Sequence, residues 1–401
     1  MANTPFFSRL FGAAKPTEQK ASTYPIPFGA QSYVTQVGKP VWMKRDYGKF
    51  AEEAYSKNVI AHRAIDMIAS GAASVKFRLT ATDSEGKETA LRQHGLLDML
   101  RKPNPTQSGH ELLEALYAHL LISGNAYLHA IGPEGSTPRE LHVLRPDRVQ
   151  VVAGRGGVPE AYLHKVGDVV SKIAVDGYSG HSRLLHLKQF HPLDDWYGLS
   201  AIEAAAYSID QHNQAGAWNQ ALLQNGARPT GALVVNAREL AGGQLSQEQY
   251  ERLRQQVDSQ FSGAANAGRP LLLEGGLEWR EMSLSPKDMD FIDAKHSAAR
   301  DIALAFGVPP QLLGIPGDNT YSNLAEARLA LWEQTILPLV SKLLDGLNGW
   351  AAPMFGEGFT LKADSDSIPA LAPKRDKEWE RISMADFLTD DEKRELLGLG
   401  K

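Results

Sequence analysis

The pattern of hydrophobic and polar positions predicts three helices in the first third of the chain. One begins after Asn58 and ends at Gly71, with apolar residues at helical spacing along one face. A short helix over 96–100 ends at the Pro-Asn-Pro sequence that follows it, because proline cannot continue a helix. The next helix, LLEALYAHLLIS, opens at Ser108 with Glu111 at the spacing of a capping box and runs to Gly124.

Short alternating apolar runs indicate β-structure around these helices. VKFRLTAT, which starts at Val75, predicts one strand. Six further runs between Ala126 and Phe190 are typical of a meandering sheet: AYLHAI, ELHVL, VQVVA, AYLHKV, SKIAV and RLLHLKQF. Residues 46–195 therefore predict one α/β or α+β domain. Residues 1–45 are rich in Pro, Gly, Ser and Thr and predict a flexible N-terminal arm.

Two long helices are predicted on either side of a small insert. The first opens at Ser200, with Glu203 at the capping-box position, and closes at Gly226. The second opens at Ser285, which precedes a proline at the first helical position, and closes at Gly307. Between them, the strands GALVVN, LLLEG and LEWREM and a short helix predict a small α/β insert.

A third long helix is predicted over about 323–347, with a proline in its interior. Pro338 lacks an amide donor and its ring clashes one turn back, so a kink is expected near 334–338. The remaining chain is interrupted by prolines and ends in a short helix with a capping box between Thr389 and Glu392.

Composition narrows the class of protein. Hydrophobic residues make up 43% of the 401 residues and charged residues 22%, which is typical of a globular protein. The absence of cysteine excludes disulfides and thiolate metal sites. The net charge of -5 argues against a protein that grips nucleic acid tightly, since such proteins release counterions with many Lys and Arg residues. No apolar run is long enough to span a membrane.

Few residues suggest catalytic or metal chemistry. His186 and His191, close to Asp194 and Asp195, invite a metal site, but they lack helical ligand spacing and an odd separation in a strand places the histidines on opposite faces. The glycine-rich segment 154–157 lacks the Lys-Ser/Thr of a phosphate-binding loop, and we expect a turn there. We therefore assign no catalytic residue, no metal site and no cofactor. Five tryptophans are expected to be core or interface anchors: Trp196, Trp218, Trp279, Trp332 and Trp350.

Several segments in the right order resemble a known family. The strongest is SPKDMDFIDAKHSAARDIALAFGVPPQLLGIPGDNTYSN, followed by LAEARLALWEQTILPL. HGLLDMLRKPNPTQSGHELLEALYAHLLISGNAYL, HPLDDWYGLSAIEAA and FLTDDEKRELLGL support it. Over residues 46–400 the chain resembles the portal proteins of long-tailed double-stranded DNA phages, a family also found in prophages and gene transfer agents.

The resemblance implies an α+β fold of wing, stem, clip and crown, assembled as a dodecameric ring at one capsid vertex. It implies these boundaries: arm 1–45, wing 46–199, first stem helix 200–227, clip 228–284, second stem helix 285–307, tunnel loop with kinked wing helix 308–353, and crown or C-terminal tail 354–401. The ring would be a non-enzymatic DNA conduit for genome packaging, head–tail joining and ejection.

The resemblance also implies partners and DNA-proximal residues. The partners are the terminase large subunit, the head-completion adaptor, the major capsid protein with its scaffold, and double-stranded DNA that passes without sequence specificity. No membrane partner is implied, and the particle or virion would be assembled in the bacterial cytoplasm. The tunnel loop, residues 315–322, contributes the short polar group Asp318, Asn319, Thr320 and Tyr321. Candidate channel-lining residues are Lys287, Lys295 and Arg300, although basic residues on a long helix usually form only its solvated or salt-bridged face.

Two alternatives of different class stay open at this point. The first is a DNA-binding head–tail adaptor that acts as a monomer or dimer, which predicts a concentrated basic surface and salt-dependent affinity. The second is a hydrolase whose site is built from the 186–195 cluster, which predicts that substitution of His191 abolishes turnover.

Overall fold

The computed structural model describes most of the chain between residues 46 and 396. The described residues are 43, 46–82, 88–133, 135–154, 157–224, 231–235, 246–248, 250–252, 254–255, 277–281, 291–316, 321–385 and 387–396. They mix helices and strands, so the predicted α+β class is confirmed. The predicted arm lies outside the described residues apart from Met43, whose amide donates to Asp210 Oδ2 at 2.9 Å. Among these residues, no helix is long and apolar enough to cross a membrane.

The helices predicted in the first third form the centre of the main hydrophobic core. They are α2 (Val59–Ala73), α3 (Gly95–Arg101) and α4 (Gly109–Ser123), and they follow α1 (Tyr47–Lys49, continued by the π-helical Phe50–Ser56), which the sequence pattern did not predict. α2 begins at Asn58, whose side chain accepts from the amides of Ile60 and Ala61, and continues two residues past the predicted end at Gly71. α4 has the predicted capping box and ends at Gly124 with a φ of 74°. The apolar faces of α2 and α4 pack together in this core.

The predicted meander is divided between two sheets. Its strands are β3 (Asn125–Ile131), β4 (Glu140–Leu144), β5 (Val149–Val152), β6 (Ala161–Val166), β7 (Val169–Ala174) and β8 (Leu184–Lys188), numbered after β1 (Phe77–Thr82) and β2 (Glu88–Leu91). One sheet has the order β4-β3-β8 and the other β5-β6-β7. The prediction of a single sheet is therefore wrong, because β8 leaves its sequence neighbour β7 and pairs antiparallel with β3, Asn125 opposite Lys188.

A third sheet brings together residues from distant parts of the chain. β1 is the central strand of this sheet. It lies between β2 and a strand near the C-terminus, Phe359–Ala363. Leu79 is paired with Leu361, and both side chains are buried in the main core. The sequence pattern did not predict the strand Phe359–Ala363. We number it β11, after the two strands of the insert.

The helix predicted from Ser200 is broken after its first turn. α5 (Ala201–Ala204) and α6 (Ala206–Gln224) are separated at Ala205, where ψ is near zero. The hydroxyl of Ser200 accepts from the amide of Ile202 and donates to the carbonyl oxygen of Ile122 at 2.6 Å. The buried serine therefore ties the start of α5 to the end of α4, and the prediction of one continuous helix is wrong. The predicted end at Gly226 lies outside the described residues.

The insert is described in part. Its strands GALVVN and LEWREM form an antiparallel pair, β9 (Gly231–Val235) with β10 (Leu277–Glu281). The amide of Tyr250 donates to the carbonyl oxygen of Ser246, as expected for the start of the predicted short helix. The predicted strand LLLEG lies outside the described residues.

One helix and then a region of three consecutive helical segments follow the insert. α7 is Phe291–Ala305, α8 is Tyr321–Leu331, a π-helical turn covers Trp332–Ile336, and α9 is Leu337–Phe355. The predicted start of α7 at Ser285 lies outside the described residues. α9 continues past the predicted end near Leu347 because residues on its buried face, including Leu347 and Trp350, pack on the core. The indole nitrogen of Trp350 donates to the carbonyl oxygen of Ser182 at 2.8 Å.

Two short helices follow β11. They are α10 (Ala372–Ser383), which the sequence pattern did not predict, and α11 (Asp390–Leu396). The Thr389–Glu392 capping box is present, with the amide of each residue donating to the side chain of the other.

Candidate functional site

The connection between α7 and α8 is the strongest candidate site. The sequence predicted a polar loop here, and the structure describes both of its ends. Asp318, Asn319 and Thr320 lie outside the described residues, and Tyr321 is the first residue of α8. The described parts therefore define how the base of the loop is held.

The chain leaves α7 through two glycines in left-handed conformation. Gly307 has a φ of 66° and Gly314 a φ of 70°, and a 3₁₀ turn, Pro310–Leu313, lies between them. Val308 is buried in the core beneath this turn. The exit from α7 is thus an ordered turn between two positions that favour glycine.

The residues just before the polar loop are held against α7. Ile315 is buried and packs with Ala299 and Ala303 of α7 in a small cluster of its own. The guanidinium of Arg300, on the same helix, donates to the carbonyl oxygen of Pro316. An apolar contact and a charge-assisted hydrogen bond therefore fix the point at which the polar loop begins.

The start of the connection, at Gly307, is held by the π-helical turn. Thr335 donates its hydroxyl to the carbonyl oxygen of Gly307 at 2.7 Å. A β-carbon at Gly307 would lie 2.8 Å from Thr335 Oγ1, and one at Gly71 of α2 would lie 2.9 Å from Ile336 Cδ1. The turn that precedes Pro338 therefore contacts the loop base on one side and α2 on the other. Sequence reasoning missed Thr335, since nothing in its neighbourhood distinguishes it from other helical threonines.

A polar seam fixes α6, the partner of α7, against α2. The side-chain nitrogen of Asn58, Nδ2, lies 2.9 Å from Asn213 Oδ1 and 3.2 Å from His212 Nδ1. Asn213 Nδ2 donates to the carbonyl oxygen of Glu53. Burial, and then the positive charge of Lys295 on α7, lower the pKa of His212. A hydrogen bond of 3.3 Å from Ser208 to Asp301 links α6 directly to α7.

Two of the three candidate channel-lining residues lie in the described part of the chain, and their surroundings differ. Lys295 is half-buried beside His212, and Arg300 is exposed but bonded to the loop base. Lys287 lies outside the described residues.

The 186–195 cluster is not assembled into a site. His186 Nε2 donates to Asn125 Oδ1 at 3.0 Å, and its ring stacks on Tyr127. Burial, reinforced by the charge of Lys188, lowers the pKa of His186 to about 3. His191 Nδ1 accepts from a backbone amide two residues on and Asp194 caps two amides, so both shape the turn before α5. Within the described ranges, no group of three His, Asp or Glu side chains could hold a metal ion.

Comparisons with known proteins agree on one family. A family model described as phage portal protein matches residues 60–398. An uncharacterized protein of Rickettsia bellii is 46% identical over 349 residues, which cover 87% of this chain and 88% of that protein. A probable portal protein of Streptomyces phage phiC31 is 29% identical over 289 residues, which cover 69% of this chain and 61% of that protein.

A solved structure extends the similarity to three dimensions. It is a chain in the neck of a native gene transfer agent particle, computed with C12 symmetry. The sequences are 46% identical and the TM-score is 0.68, with 90% of this chain and 96% of that chain covered.

Proposed function

The chain belongs to the phage portal protein family, and we propose that twelve copies form the ring-shaped portal of a phage or phage-derived particle. The observation that carries this proposal is the 46% identical chain in a particle neck with C12 symmetry, which covers 90% of this chain. A subunit that contacts identical neighbours through two different surfaces forms a ring when the rotation at each contact brings the last subunit back to the first, and an open filament otherwise. Portal proteins are structural, and the proposal gives this chain no catalytic role.

We propose that the described elements correspond to the parts of a portal as follows. α6 and α7 pack together and form the stem, the β9–β10 pair belongs to the clip, and the sheets with α2 and α4 form the wing. β11 pairs with β1, so residues 359–363 share a sheet with the wing. We therefore place the start of the proposed crown after β11 and not at residue 354.

The loop between α7 and α8 is proposed to face the DNA. Its base is held by the contacts of Ile315, Arg300 and Gly307, which support a loop of constant position. The short polar residues Asp318, Asn319 and Thr320 and the hydroxyl-bearing Tyr321 suit weak contacts with a sliding duplex. A net charge of -5 for the chain fits the same role, because a strongly basic channel would hold phosphates and slow DNA. Lys287, Lys295 and Arg300 remain proposals as channel-lining residues.

The proposed partners follow from this role. Packaging requires a terminase large subunit at the ring, completion requires a head-completion adaptor, and insertion at the vertex requires the major capsid protein and its scaffold. Double-stranded DNA passes through without sequence specificity. The proposed location is the portal vertex of a virion or virus-like particle.

Light scattering combined with negative-stain imaging of the purified chain tests the ring. We expect particles with a central hole and the mass of twelve chains. A persistent monomer or dimer at micromolar concentration, with salt-dependent affinity for free duplex, would contradict the ring and favour an adaptor.

A charge added at the loop tests the channel. Asn319→Lys adds one positive charge per subunit at the proposed constriction, and Val169→Lys adds the same charge at an exposed position of β7. Only the first variant is expected to increase the affinity of rings for linear duplex and to steepen its dependence on salt. Equal effects of the two variants would place the loop away from the DNA.

A further inference from the structure

Among the residues that the structure describes, no side chain of the two C-terminal helices belongs to a hydrophobic core cluster. α10 has no buried residue, although it is an amphipathic helix with a tryptophan on its apolar side. Four large apolar side chains of this region are exposed, by 46% at Trp379, 68% at Met384, 86% at Phe387 and 62% at Leu396. Helices of 12 and 7 residues are marginal in water without tertiary packing. An apolar surface of this kind in a short helical pair indicates a partner.

An apolar groove lies elsewhere on the same chain. It has a volume of about 370 Å³ and is lined by Gln311 and by five apolar residues: Met67 of α2, Leu312 of the 3₁₀ turn, Leu324 and Leu331 of α8, and Trp332 of the π-helical turn. Of these five residues, only Leu331 is fully buried. The groove therefore offers partly exposed apolar surface suited to a large apolar side chain.

The charges around the two surfaces are complementary. Arg63 and Arg328 lie at the rim of the groove. Arg63 is paired with Asp66 at 2.7 Å, whereas Arg328 has no ion pair with any residue that the structure describes. On the other surface, Asp390 and Asp391 form the exposed first turn of α11, three and four residues after Phe387.

The described part of the chain leaves the groove open. The start of α10 lies close to it, where Lys374 forms a 2.6 Å ion pair with Glu333, next to Trp332. Phe387 nevertheless remains exposed. An exposed apolar surface and a separate groove on one subunit can form a heterologous contact, which is the type that closes a ring.

We propose that Phe387 and the acidic start of α11 of one subunit dock in the Met67–Trp332 groove of the neighbouring subunit. The proposal rests on the ring proposed above and names one of its contacts. Phe387 occupies the apolar floor, and Asp390 or Asp391 lies beside Arg328. Each subunit then covers the C-terminal helices of one neighbour, which supplies the packing that those helices lack in the isolated chain.

Cysteine cross-linking tests this contact without interference, because the chain contains no cysteine. The variant with both Leu324→Cys and Phe387→Cys is oxidised, or treated with a short bismaleimide, and separated under denaturing conditions. We expect a ladder of covalent multimers that extends to twelve chains. Each single variant is expected to give no ladder beyond a dimer. Val169→Cys with Phe387→Cys pairs Phe387 with a distant exposed position on β7 and is expected to give none either.

Light scattering of the same samples separates the two proposals. Rings that give no ladder, or only an intrachain cross-link, would overturn the contact and leave the ring intact. Rings that give equal ladders with Leu324→Cys and Val169→Cys would also overturn it, because cross-linking would then be unspecific. Monomers without a ladder would overturn the contact together with the ring.

Discussion

Alanine at the two left-handed glycines of the α7–α8 connection is expected to have unequal effects. Gly307 and Gly314 have nearly the same φ, 66° and 70°. Their surroundings differ: a β-carbon at Gly307 would lie 2.8 Å from Thr335 Oγ1, whereas one at Gly314 would meet nothing within 4 Å. The second position is therefore a matched control for the first.

The magnitudes follow from these surroundings. Gly314→Ala places a side chain in the left-handed region and is expected to destabilise the fold by about 1 kcal/mol. Gly307→Ala has the same backbone strain and also displaces the Thr335 hydroxyl from the Gly307 carbonyl oxygen, a bond worth about 0.5 to 1.5 kcal/mol. Its total is expected to be about 2 kcal/mol. In a Thr335→Ala background the two glycine substitutions should cost nearly the same, because the nearest remaining atom, the β-carbon at 335, is 3.8 Å away.

Urea unfolding followed by circular dichroism measures these differences, with unchanged m-values as the check that the folded states are comparable. Equal free energies of unfolding for Gly307→Ala and Gly314→Ala would refute the proposed bracing of the loop base by Thr335. In the Thr335→Ala background, Gly307→Ala could still lower the free energy of unfolding more than Gly314→Ala does. That result would also refute the bracing, since the double-mutant cycle would show no coupling between Gly307 and Thr335.

Three further results are expected. Trp350→Phe leaves the carbonyl oxygen of Ser182 without its buried donor and should lower the free energy of unfolding by about 1 to 3 kcal/mol in urea titrations; no change would mean that water replaces the indole. The pKa of His186 is lowered from 6.5 to about 3, so the unfolded chain binds its proton first and stability falls as pH falls through this window. His186→Phe should reduce that slope by about 1.4 kcal/mol per pH unit, and an unchanged slope would contradict the burial argument. Pro338→Ala should impair DNA packaging, measured as nuclease-protected DNA, more than ring formation, measured by imaging; unchanged packaging would count against the π-helical turn as the element that positions the loop.

Local sequence determined the helix ends most completely. The capping boxes at Ser108 and Thr389, the helix start after Asn58 and the helix end at Gly124 were predicted because such signals depend on side chains within a few residues of each other. The segments that carry the family resemblance are of the same kind: continuous stretches of residues, readable without knowing what they contact. The sequence by itself therefore determined the class of fold and the family.

Tertiary structure decided what depends on distant residues. β11 pairs with β1 across most of the chain, and β8 joins β3 because the leucines of β8 pack on α9, with Leu187 close to Gly346. Ser200 ties the start of α5 to the end of α4 through its hydroxyl. In each case the deciding partner is far away in sequence, and no local pattern encodes it.

The same distinction applies to the candidate site. The sequence identified the polar loop, since glycine and proline mark the end of α7 whatever surrounds them. Only the folded chain brings Thr335 to Gly307, Arg300 to Pro316 and Ile315 to α7. Secondary structure follows from neighbours along the chain, whereas the position of a loop follows from side chains that meet only when the helices pack.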